Sequence, residues 1–79
     1  MKQQKISLVD KVLDYLEARQ YEIITHTELY EAVWEVPAYG GYKNTLYATI
    51  SQARSLLEDG CTIYGLRGTG YMFVKEKKE

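Results

Sequence analysis

Between residues 37 and 57 the chain carries two cations, Lys43 and Arg54, and no carboxylate. The same stretch supplies neutral donors and acceptors on Asn44, Thr45, Thr49, Ser51, Gln52 and Ser55. A second acid-free stretch, residues 60–75, contains RGTGY at 67–71, with Arg67 beside two glycines and a threonine. These groups can hydrogen-bond a polar edge and attract an anion. They do not make or break bonds: the chain has no nucleophile set beside a base, no metal-ligand cluster and no glycine-rich phosphate cradle. Its one histidine, His26, lacks partners for catalysis. An enzyme, a bound metal and a cofactor are therefore not expected.

A chain of 79 residues is read as a single domain spanning 1–79, with a small core, so function is expected on a surface. No stretch approaches the ~20 apolar residues of a membrane span, and residues 1–5 are too polar to open a signal peptide. A soluble cytoplasmic protein without a membrane partner is expected. Cys61, the sole cysteine, reads as a packed thiol.

The elements that must position these groups follow from periodicity. Residues 7–19 place Leu8, Val9, Val12, Leu13 and Leu16 at helical spacing, with Ser7 as N-cap. Residues 21–24 suit one short strand. Thr25-His26-Thr27-Glu28 is a capping box, so a second helix begins near His26, turns Leu29, Val33 and Trp34 inward and stops before Pro37. After a loop through Gly40-Gly41, a third helix is predicted from Asn44 or Thr45 to about Glu58, ended by Gly60, with Leu46, Ile50, Ala53 and Leu57 on one stripe. Residues 62–66 and 71–74 then form two strands around a turn at 67–70. The fold class is mainly α with a small β-sheet, three helices and a C-terminal hairpin: a winged helix-turn-helix. Residues 1–5 and 75–79 read as frayed tails.

Ile23-Ile24-Thr25, Glu28-Leu29, Val33-Trp34, Asn44-Thr45-Leu46, Ile50, Ala53-Arg54, Leu57, Ile63, RGTGY and Phe73 together resemble the effector domain of the OmpR/PhoB family of response regulators, over about residues 6–74. The resemblance implies a DNA-binding transcription regulator. It also implies a stand-alone version, since 79 residues leave no room for the family's receiver domain or leading antiparallel sheet, and phosphorylation control within the chain is not expected. Recognition helices of the family are commonly rich in arginine. Here the corresponding positions hold Tyr47, Thr49, Ser51 and Gln52, and Arg54 is the remaining cation of the helix.

Charge is segregated along the chain. Residues 1–36 hold four basic and seven acidic side chains, residues 37–57 and 60–75 hold two cations each and no acid, and Glu58 and Asp59 lie between them. That is the footprint of a weakly charged reader of double-stranded DNA. With the third helix in the major groove, Gln52 can pair with adenine and Ala48 can touch a thymine methyl. Asn44, Thr49, Ser51, Arg54 and Ser55 reach phosphate or base, and Tyr42 and Lys43 suit phosphate. Arg67 and Thr69 form the wing contact, with Arg67 in the minor groove. One small module binds modestly, so two copies on paired half-sites, a homodimer on DNA, are expected.

Tyr39, Tyr42 and Tyr47 cluster at the loop and helix start, where surface contact is favoured over core. They carry the alternative function, a protein-interaction module docking on RNA polymerase or another regulator. Trp34, Tyr15, Tyr30 and Tyr71 read as packing residues, and His26 as solvated.

Overall fold

The computed structural model describes residues 7–76. The elements in chain order are α1 (Leu8–Glu17), β1 (Ile24–Thr25), α2 (His26–Trp34), α3 (Tyr42–Ser55), β2 (Cys61–Leu66) and β3 (Gly70–Lys75). Three helices and a three-stranded antiparallel sheet of order β1-β3-β2 make a winged helix. One side of every element meets a shared core: Val12 and Leu16 from α1, Ile24 from β1, Leu29 and Val33 from α2, Leu46, Ile50 and Ala53 from α3, and Ile63, Tyr71 and Phe73 from the hairpin. At about 25 cal/mol per Å² of apolar surface removed from water, this shared interior is what holds the short elements in place.

Helix starts follow side-chain chemistry. The Ser7 hydroxyl accepts the Asp10 amide at 3.1 Å, and Thr25 Oγ1 accepts the Glu28 amide at the same distance. The second half of the expected capping box is replaced: the Glu28 carboxylate accepts the Tyr15 hydroxyl at 2.8 Å, which ties α2 to α1 and raises the tyrosine pKa. α2 ends on Glu35 in the left-handed conformation, φ 58°, two residues before Pro37.

Three boundaries differ from expectation. The short strand lies at Ile24–Thr25 rather than 21–24, because Tyr21 reverses the chain with φ 66° and Ile23 is left 54% exposed. α3 starts at Tyr42 behind left-handed Gly41 (φ 86°) and ends at Ser55, so Leu57 packs against the core from beyond the helix. Gly60, expected to end the helix, instead turns the chain into β2 with φ 89°, where its carbonyl accepts the Glu76 amide at 2.8 Å. That same bond and the pairing of Lys75 with Cys61 extend the hairpin into the expected frayed segment; residues 1–5 and 77–79 lie outside the described residues.

The wing is held at both ends. Thr69 donates its amide to the Leu66 carbonyl at 2.8 Å, and Gly68 between them has φ 74°, the sign that a type II turn requires at its third residue. The Thr69 carbonyl then accepts the His26 amide at 3.1 Å, so the turn is fastened to the first residue of α2. Gly70 pairs with Thr25, and a Cβ at this position would overlap the Ile24 carbonyl oxygen. Only glycine permits β1 and β3 to approach so closely.

Candidate functional site

The outer side of α3 is exposed at Lys43, Asn44, Thr45, Tyr47, Ala48, Ser51, Gln52, Arg54 and Ser55. Its inner side carries Leu46, Ile50 and Ala53 at spacings of four and three, which fixes the rotation of the helix against the core. The wing turn exposes Arg67, Gly68 and Thr69. Helix and wing are neighbours: Tyr47 and Arg67 line one depression, and Lys43 and Thr69 line another beside it. The structure thus brings together on one side the two acid-free stretches that the sequence separates.

Thr49 is a correction. It is 9% exposed, and its hydroxyl is bonded to the Thr45 carbonyl at 3.0 Å, so it does not belong to the outer surface. The signal was present in the spacing, for Thr49 lies three residues after Leu46 and four before Ala53, within the buried stripe. His26 is a second correction: expected in solvent, it is 7% exposed. It lies at helical spacing ahead of Leu29 and Val33, and its ring meets Tyr47 edge-on at 5.9 Å between centroids and Tyr71 at 5.4 Å. Burial, and next the charge of Lys43, lower its pKa below 6.5.

Several outer side chains are already partly engaged. The Arg54 guanidinium donates to the Ile63 carbonyl from Nη2 at 2.8 Å and from Nε at 3.2 Å. The Ser55 hydroxyl donates to the Gln52 carbonyl at 2.7 Å. Tyr42 is half-buried, its hydroxyl 3.0 Å from that of Thr27. Lys43, Asn44, Ala48, Ser51, Gln52, Arg67 and Thr69 are exposed, and none of their side chains is hydrogen-bonded among the described residues. The tyrosine cluster divides. Tyr39 is 74% exposed and, with Tyr30, Val36, Pro37, Gly41 and Tyr42, lines an open depression of about 420 Å³; Tyr47 faces the wing. Trp34 packs against the core and stacks on Tyr30 at 4.6 Å, as a packing residue should.

Among the described residues no group of three or more acidic, histidine or cysteine side chains could hold a metal, and no helix is long and apolar enough to cross a membrane.

A three-helix unit with a hairpin wing fastened to α2, and a polar outer face on its last helix, is a winged helix-turn-helix domain. Residues 9–73 match the family described as "Transcriptional regulatory protein, C terminal", and the chain belongs to this family of OmpR/PhoB-type DNA-binding domains. No curated protein matches it.

Proposed function

We propose that the domain reads double-stranded DNA with α3 in the major groove and the turn at Arg67 in the neighbouring minor groove. The observation that carries this reading is the union of the two acid-free stretches: Lys43, the outer face of α3 and Arg67 form one surface, and among the described residues no Asp or Glu lines either depression between helix and wing. Phosphates can approach there without meeting a carboxylate. Gln52 and Ser51 point outward at mid-helix and supply the base-edge hydrogen bonds; Ala48 offers a methyl to thymine; Asn44 and Lys43 take phosphate near the helix start. Tyr47, Ser55 and Thr69 border this surface. Arg54 braces α3 against β2 and offers the duplex the remainder of its guanidinium. Two copies on adjacent half-sites would raise the modest affinity of one module. Selection of bound duplexes from a random-sequence pool tests the reading: a recovered consensus supports it, and a pool that stays random after enrichment overturns it.

A second reading is favoured by the tyrosine-lined depression. Tyr39 and Val36 stand exposed beside Pro37 on the 35–41 loop, an aromatic and aliphatic surface of the kind that protein interfaces bury. RNA polymerase or another regulator would dock there. Tyr39→Ala tests this, since it should abolish transcriptional output while leaving DNA affinity intact.

A further inference from the structure

His26 occupies an unusual position for a titratable group. It begins α2, it is more than nine-tenths buried, and it forms the wall shared by both depressions between α3 and the wing. One depression, of about 320 Å³, is also lined by Tyr47, Arg67 and Tyr71. The other, of about 290 Å³, is also lined by Thr25, Thr27, Lys43 and Thr69. Among the described residues neither ring nitrogen has a hydrogen-bond partner, and no unpartnered polar side-chain atom is sealed from solvent, so the nitrogens open to these depressions.

Among the described residues the charged side chains that line the two depressions all have one sign, and the Glu28 carboxylate in the first turn of α2 is engaged by the Tyr15 hydroxyl of α1. Lys43 comes from α3 and Arg67 from the wing, burial holds the Tyr71 hydroxyl above its ordinary pKa and so uncharged, and Arg54 lies close enough to Tyr71 to act on that hydroxyl. Among the described residues no carboxylate lines either depression. The first turn of α2 adds the positive end of a helix dipole. Burial first, and Lys43 second, therefore hold the free imidazole neutral near pH 7. A buried neutral base among two cations, two tyrosine rings and three threonine hydroxyls is matched to an anion, because an anion cancels the field that keeps the ring unprotonated and then gains its N–H as a donor.

We propose that this cleft binds a backbone phosphate of the duplex and that His26 is one of its ligands, taking up one proton from solvent as the phosphate enters. The proposal rests on the DNA-binding reading above. The added proton sits on the ring nitrogen that faces the phosphate oxygen, and no covalent bond changes. Lys43 and Arg67 attract the phosphate at any pH, whereas His26 adds its charge only when the phosphate is present. Affinity then rises as pH falls through the bound-state pKa of His26 and levels off below its free-state value, by up to tenfold per pH unit in between.

Because His26 is the only histidine, its ring resonances report the titration without ambiguity. The test follows them by NMR from about pH 5 to pH 8 in the free chain and with a mixed-sequence duplex of about 20 base pairs at low salt, conditions under which backbone contacts suffice for binding. The expected result is a titration midpoint at least about one pH unit higher in the complex, a tenfold linkage. Calorimetry in two buffers of different ionisation enthalpy should show uptake of up to one proton near pH 7, and His26→Gln should abolish it. Inorganic phosphate at matched ionic strength forms a separate arm; a midpoint that responds to it as fully as to the duplex overturns the duplex backbone as the source. Duplex binding with an unmoved His26 midpoint overturns the proposal and leaves the DNA-binding reading intact. Absence of duplex binding overturns both. Should His26→Gln fail to fold, the wild-type resonances alone decide.

Discussion

Arg54, near the end of α3, donates two hydrogen bonds from its guanidinium to the carbonyl oxygen of Ile63 in β2, nine residues on. β2 is an edge strand, and its Gly60 end is bonded to Glu76 such that Thr62, Tyr64 and Leu66 exchange bonds with β3 while the Ile63 carbonyl points outward. The arginine satisfies that outward carbonyl and joins the outer helix to the wing. A cation that the sequence assigns to DNA thus has a structural partner first.

Arg54→Ala should therefore destabilise the free domain by about 1–2 kcal/mol, a charge-assisted bond moderated by exposure to solvent. Arg54→Lys should recover little of this, because an ammonium cannot reproduce the planar two-pronged donation. Urea unfolding measures both. Equal stability of all three proteins would remove the brace from the account.

Gly70→Ala should be far more damaging, about 3 kcal/mol or more, since the added methyl collides with backbone at Ile24 rather than with a side chain able to move. Gly68→Ala faces open space but a φ of 74°, and should cost about 1 kcal/mol. Thermal melting that ranks the two in the opposite order would contradict the proximity of β1 and β3.

Much of this frame was legible before any coordinates. Ser7 and Thr25 announced two helix starts through side chains that reach only three residues ahead, and RGTGY announced the hairpin turn through glycine. The position of β1 was not, because it depends on Gly70 admitting a strand from far away in sequence. Thr49 and His26 were misjudged by residue type when their spacing from Leu46 and Leu29 already placed them on buried stripes. For the bond between Arg54 and Ile63 no periodicity gives a signal, since it arises only once α3 and β2 have packed. The outer surface of α3 was largely legible, because three apolar positions, Leu46, Ile50 and Ala53, fix the rotation of the helix and hence everything opposite them.

The buried histidine makes stability depend on pH. Desolvation lowers the folded-state pKa of His26 below 6.5, so the unfolded chain takes up the proton first as the medium is acidified. Its contribution is full above about pH 6.5 and is lost as pH falls from there through the folded-state value. The urea midpoint of the wild type should drop between about pH 7.5 and pH 5.5 by more than that of His26→Gln. Parallel profiles for the two proteins would contradict the burial of the ring.

Salt dependence should be shallow. Arg54 is braced against Ile63 and Lys75 sits 3.5 Å from Glu17, which leaves Lys43 and Arg67, among the described residues, as the cations free on the proposed face. At a pH high enough to keep His26 neutral in the complex, two phosphate neutralisations give a slope of log affinity against log salt of about −2 per bound copy. Arg67→Ala should make that slope shallower by about one and weaken binding by about 1.5–3 kcal/mol at low salt, without loss of stability. A slope several-fold steeper would mean that many more cations, or several copies, meet the duplex together.

The reading of bases by the outer face of α3 is tested most directly by replacing Gln52 and Ser51 together with alanine and repeating selection from a random duplex pool. Both side chains are exposed and unbonded, so the variant should unfold within about 1 kcal/mol of the wild type. The wild type should enrich a consensus; the variant should bind the pool with much of the residual low-salt affinity yet lose preference at the positions that these side chains meet. A wild type that enriches no sequence, or a variant that enriches the same sequence as strongly, would contradict the assignment of α3 as the reading helix.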